Sequence, residues 1–100
     1  MEKWYVGKSS IAGRGAFTSR PIQKGEIIDI GINYLLFVPY VTEFGSWINH
    51  EWDPNSVVKY DLNDDVYYVR ALKYLPANTE ITVDYKETPN YISGPEDWYF

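Results

Sequence analysis

The chain is predicted to be a mostly β domain. Short runs of β-branched and aromatic residues recur along its 100 residues, and Gly, Pro, Asn and Asp punctuate them at short intervals. No segment keeps a helical period over ten residues, which leaves about seven to nine short strands.

Each element follows from its own residues. "KWYVGKSS" has strand character and runs into the turn signal "AGRG". "GAFTS" is a short strand ended by Arg20-Pro21, and "QKG" makes the next turn. "EIIDIGINYLLFV" is rich in β-branched and aromatic side chains, with a break expected at Gly31 and a stop at Pro39. "SVVKYDL" and "VYYVRALKYL" flank Asn63-Asp64-Asp65, a hairpin turn. Pro76-Ala77-Asn78 turns the chain into "EITVDY", where Ile81 and Val83 alternate with Thr82 and Asp84 on opposite faces. The tail "KETPNYISGPEDWYF" ends in three bulky aromatic residues, and a disordered tail would lack them, so it is expected to pack back on the domain. No repeat or linker divides the chain, and one domain over residues 1–100 is expected.

Composition narrows the chemistry. With no cysteine, disulfides, thiolate nucleophiles and Cys-ligated zinc are excluded. Residues 1–25 carry five basic side chains against one acidic, whereas residues 26–100 carry four basic against thirteen acidic. So acidic a surface disfavours nucleic acid and suits a cationic partner such as a lysine-rich peptide. No apolar run reaches a membrane span and the start does not read as a signal peptide, so a soluble intracellular protein is expected, with no membrane partner.

Three segments are candidates for a site. The first holds His50, the single histidine, in "GSWINHEWDPN". A metal site would need further donors, yet there is no second His and no Cys. Ser46 and Asp53 flank His50, but no nucleophile-elbow pattern accompanies them. A buried histidine bonded through its ring remains open beside those roles. The second is Ala12-Gly13-Arg14-Gly15-Ala16, whose two glycines permit either a close backbone approach to a ligand or an ordinary tight turn. The third is "EITVDY", in which Tyr85 reads equally as a packed edge tyrosine.

Taken in order, the three segments resemble the SET domain of protein-lysine methyltransferases. "GRGAFTSRPIQKGEII" matches that family's opening G-x-G, aromatic and Pro-x-x-x-Gly pattern. "WINHEWDPN" is similar to its central Asn-His motif, with Glu51-Trp52 in place of Ser-Cys. "ALKYLPANTEITVDY" matches its closing motif, with Asn78 where glycine is usual, an exchange tolerable because Asn also visits positive φ. The resemblance covers residues 4 to about 86, leaving 87–100 as the tail.

The resemblance implies a β-clip of several small curved sheets with a C-terminal pseudoknot-like threading. It implies S-adenosylmethionine as cofactor, without a metal, and a lysine-containing protein substrate, histones among the candidates. Ala12, Gly13 and Arg14 would contact the cofactor largely through backbone groups, with Gly15 shaping the turn. Asn49 would bond its amino-acid part and the main chain of His50 its adenine. Tyr85 matches the catalytic tyrosine, and Tyr40, Trp47, Val83 and Tyr85 would line the lysine channel. A non-catalytic SET-like module that binds a basic protein segment is the alternative.

Only 33 residues separate Gly15 from Asn49, so the insert that walls the family's peptide groove is nearly absent. The surface it would cover is compatible with a homodimer. The family's cysteine-rich zinc segment is missing too. The tail stands in its place, with Trp98 or Tyr99 expected to cover the cofactor or close the channel. Truncation after Lys86 is therefore expected to weaken cofactor binding in a calorimetric titration, and unchanged affinity would remove the tail from the site.

Overall fold

The computed structural model describes residues 2–84. Among them the strands are β1 (Trp4–Lys8), β2 (Arg14–Thr18), β3 (Ile27–Leu35), β4 (Val38–Val41), β5 (Asn49–His50), β6 (Ser56–Asp61), β7 (Val66–Ala71) and β8 (Thr82–Val83). One helical turn, α1 (Glu43–Trp47), stands between β4 and β5. The strands form three small sheets: β1-β2, β4-β3-β7-β6 and the parallel pair β5-β8. The mostly β expectation holds. No helix among the described residues is long and apolar enough to cross a membrane.

The strand expected to break at Gly31 instead runs through it. The register between β3 and β7 shifts between Ile27 and Asp29 and again between Ile30 and Ile32, so Ile28 and Gly31 are the extra residues of two bulges. A bulge absorbs the glycine without ending the ladder, and it turns the Gly31 carbonyl toward the Thr42 N–H, 2.9 Å away. Pro39 does not stop the chain either, because it lies within β4 at the edge of its sheet, where a missing N–H costs no ladder bond. The turn between the two strands consists of Leu36 and Phe37, both at positive φ (49° and 70°). Bulky residues there cost roughly 1–2 kcal/mol each, and Asn-Gly is the pair such turns favour.

Five residues are too few for a helical period to show in the sequence, and α1 rests on capping and close approach. Thr42 is its N-cap, accepting from the Gly45 N–H at 3.0 Å while its hydroxyl donates to the Ile30 carbonyl at 2.6 Å. Gly45 lies against β3: a Cβ there would overlap the Gly31 carbonyl oxygen and come within 3.0 Å of Val41 Cγ1. Phe44 is thereby buried, its ring centroid 5.0 Å from that of Trp4. The core around it includes Ala16, Ile22, Ile48, Val69, Leu75 and Ile81.

Residues 75–84 stitch the sheets together. Leu75 and Ile22 exchange two main-chain bonds of 2.8 Å, and the Ile81 N–H donates to the Ala16 carbonyl at 2.8 Å. Asn78 has φ of 66°, as the turn requires, and its N–H donates to the Thr18 carbonyl at 2.7 Å. The chain then reaches β5, where Thr82 pairs with Asn49 and Val83 with His50. The alternation expected for "EITVDY" is not accompanied by an exposed face. Ile81, Thr82 and Val83 are all buried, because this strand is covered on both faces. The expected packing of the tail and the threading at the C-terminus lie outside the described residues.

A charged clasp fastens the N-terminus to β3. The Glu26 carboxylate accepts from the Gln23 N–H at 2.9 Å and lies 3.0 Å from Lys3 Nζ and 2.7 Å from Arg20 Nη2. The Gln23 N–H, then Lys3 and Arg20, hold its carboxyl down from the ordinary 4.5 to about 2. A depressed folded value stabilises the fold above the unfolded pKa, and that gain is lost as pH falls through the folded one. Glu26→Gln is therefore expected to lower the midpoint of thermal unfolding at pH 7, with the gap to the wild type closing as pH falls from about 4.5 toward 2. A gap of constant size across that range would assign the effect to packing instead of charge.

Candidate functional site

The loop between β1 and β2 ends at Gly13, the first glycine of the G-x-G segment, which takes φ of 48° to close it, while Arg14 and Gly15 open β2. Ser9 organises this loop from within. Its Oγ accepts from the Ile11 N–H at 2.9 Å and the Ala12 N–H at 3.3 Å, while its own N–H donates to the Gly13 carbonyl at 2.9 Å. The same hydroxyl lies 2.8 Å from both carboxylate oxygens of Glu80 and donates to that group.

Asn49 closes the arrangement from β5. Its side-chain amide nitrogen reaches Glu80 Oε2 at 2.8 Å, the Arg14 carbonyl at 3.1 Å, the Ala12 carbonyl at 3.2 Å and Ser9 Oγ at 3.1 Å. Four acceptors surround two amide hydrogens, which fixes the amide orientation and leaves Oδ1 as the atom not claimed by those contacts. Asn49 is 3% exposed, so this is an interior junction that joins the loop, β5 and the closing strand.

Gly15 was expected to shape the turn. It lies instead inside β2, opposite Gly7. What its position requires is space: a Cβ would overlap Glu80 Oε2 and stand 3.1 Å from Asn49 Nδ2. The glycine admits the carboxylate and the amide side by side.

His50 is buried, 1% exposed, with Nδ1 3.8 Å from Asp84 Oδ1. The Trp52 ring meets it edge-on with centroids 4.0 Å apart, and the Glu51 N–H donates to the Val83 carbonyl at 3.0 Å. The departure Glu51-Trp52 thus has a structural role, since Trp52 shields the histidine ring while remaining largely exposed itself. Among the described residues, no three His, Cys, Asp or Glu side chains gather as a metal site would require.

The other candidates occupy separate settings. Ala12 is half-buried and Arg14 exposed, both beside the Asn49 amide. Tyr40 lies half-exposed on the outer strand β4, and Trp47 packs against the core at the end of α1. Val83 is 2% exposed and shares an apolar cavity of about 20 Å³ with Gly31, Ile32, Gly45, Ile48, Val58 and Val69. That space lies within the hydrophobic core. Tyr85 and Trp98 lie outside the described residues. Ser9 and Glu80 are the members that sequence reasoning missed. They stand 71 positions apart, and no local pattern links them. Gly15→Ala is expected to destabilise the fold by about 1–3 kcal/mol through overpacking at this junction, measured by urea unfolding. An unchanged midpoint would mean that Glu80 and Asn49 do not need the space.

The SET-domain sequence model matches residues 33–86. The structure of a Plasmodium falciparum protein assigned as a histone methyltransferase superposes with a TM-score of 0.70 at 26% identity, covering 85% of this chain and 94% of that one. A humanized mutant of the Chaetomium thermophilum Polycomb Repressive Complex 2, bound to the inhibitor GSK126, superposes with a TM-score of 0.70 at 22% identity. There the match covers 89% of this chain and 16% of the other, and a form bound to GSK343 gives the same figures. No curated protein matches the chain significantly. With the family model spanning more than half of its length, and with the mostly β fold of several small sheets that these structures share, the chain belongs to the SET-domain family.

Proposed function

We propose that the chain is a single-domain, S-adenosylmethionine-dependent protein-lysine N-methyltransferase. One observation supports this most: the G-x-G loop, Asn49-His50 and the strand leading to Tyr85 converge on one buried junction. Family membership and the histone methyltransferase assignment of the Plasmodium falciparum relative point the same way.

In this reading Ala12, Gly13 and Arg14 present backbone groups to the cofactor. Asn49 Oδ1 accepts from the ammonium of its amino-acid part, since the amide nitrogen is already used within the protein. The Glu80 carboxylate beside it adds negative potential that favours that ammonium. The main chain of His50 would hold the adenine, and Trp98 is the tail residue assigned to the cofactor. S-adenosylmethionine supplies an electrophilic methyl on a sulfonium.

The protein's task is alignment and deprotonation. A free lysine has pKa ~10.4, so presenting it neutral at pH 7 costs roughly 4–5 kcal/mol. Desolvation of the bound lysine, together with the sulfonium charge, lowers that cost. Tyr85 is the residue that would supply a hydroxyl oxygen to the methyl and align the amine. The substrate is a lysine of a protein, with histones one candidate class, and aromatic rings suit the methylated cation that results.

The test is transfer of labelled methyl from S-adenosylmethionine to a mixture of basic proteins. Tyr85→Phe is expected to reduce transfer by about a hundredfold or more while leaving cofactor affinity unchanged. Cofactor binding with no transfer to any mixture would favour a non-catalytic module for basic segments. No cofactor binding at all would overturn the proposal.

A further inference from the structure

Two hairpin turns lie side by side at one end of the four-stranded sheet. Ile32 of β3 is level with Tyr67 of β7, and Asp61 of β6 with Val66, so the Leu36-Phe37 turn and the 62–65 turn emerge at the same end. That end is apolar and open. Leu35, Leu36, Phe37 and Val38 are 67%, 84%, 96% and 63% exposed, and Leu62 across the gap is 81% exposed. The four consecutive residues include the two strained at positive φ. A turn that only had to reverse the chain would carry Asn-Gly there, without strain and without exposed apolar surface.

Charge selects the occupant. Asp61, Asp64 and Asp65 rim the same end, and none of them forms an ion pair among the described residues. Asp61 Oδ1 accepts from the Asn63 N–H at 2.9 Å, and Asp65 Oδ1 accepts from the Tyr60 hydroxyl at 2.6 Å, which fixes two of these carboxylates. A second copy docked end-on would set acidic rim against acidic rim. Side-by-side pairing through β4 is also disfavoured. The two-residue turn makes Leu35–Val38 the hydrogen-bonded pair, so in the Tyr34–Pro39 pair the main chain points outward, where Pro39 has no N–H to offer.

We propose that this end of the sheet docks a protein segment bearing apolar anchors flanked by lysine or arginine. The apolar tip supplies the buried contact and the aspartates supply orientation and partner choice. The proposal does not rest on the methyltransferase reading.

The test uses a labelled synthetic peptide of alternating leucine and lysine, followed by fluorescence anisotropy at near-physiological salt. Leucine–glutamate and serine–lysine peptides are the comparators. Leu36→Asn/Phe37→Gly gives the turn the residues it favours, so the fold is retained. That variant is expected to bind the leucine–lysine peptide about tenfold more weakly or worse. Asp61→Asn/Asp64→Asn/Asp65→Asn, which keeps the turn's side-chain acceptors, is expected to do the same. Undiminished binding by the turn variant would overturn the proposal, as would equal binding of either comparator or no binding of the leucine–lysine peptide. So would a sedimentation-detected dimer that the turn variant abolishes, since that would make a second copy the occupant.

Discussion

The contact between the Asn49 amide and the Glu80 carboxylate, with Ser9 as third member, is the constraint on which the candidate site depends. It spans 31 positions from Asn49 to Glu80 and 71 from Ser9 to Glu80. Hydrogen bonds to a charged partner contribute roughly 1.5–3 kcal/mol, and a buried donor left unmatched costs a similar amount. That is a large share of a small domain's net stability. Three elements that share no local pattern are thereby held in one relation: the loop after β1, the strand β5 and the segment entering β8. Gly15 permits the junction by contributing no side chain.

The same junction changes the roles of the residues around it. Asn49 is at once a structural donor and, through Oδ1, a ligand acceptor in the proposed enzyme. A side chain whose nitrogen is already bound to Ala12, Arg14 and Glu80 needs no reorganisation to present its oxygen. His50, the most conspicuous residue of the sequence, acts as a buried neighbour packed by Trp52, beside Asp84. The chemistry belongs in this view to the strand end beyond it.

The elements were legible where local chemistry decides them. The Asn63–Asp65 turn, a short strand at "GAFTS" and the Pro76–Asn78 turn follow from residue types, and the positive φ at Asn78 from the motif resemblance. Gly31 and Pro39 were misread because their meaning is positional: a glycine ends a strand in one place and makes a bulge in another, and a proline is harmless on an edge. Thr82 was expected on the face opposite Ile81 and Val83, and the parallel pairing with β5 buries that face as well, since pairing partners cannot be read from one strand. The G-x-G segment and Asn49-His50 stood out in the sequence. Glu80 and Ser9 did not, since an acidic residue in a strand and a serine in a loop carry no signal until the fold apposes them.

The most direct measurement is a calorimetric titration of S-adenosylmethionine into Glu80→Gln, with thermal unfolding followed in parallel. Glutamine keeps the volume of the side chain but has one acceptor oxygen for Ser9 and Asn49, and it turns a donor toward them in place of the second. Cofactor affinity is expected to fall about tenfold to a hundredfold, with a fall of only a few degrees in the unfolding midpoint. Wild-type affinity in a variant whose unfolding midpoint has fallen would contradict the central claim, because the clasp would then hold the fold without shaping the site.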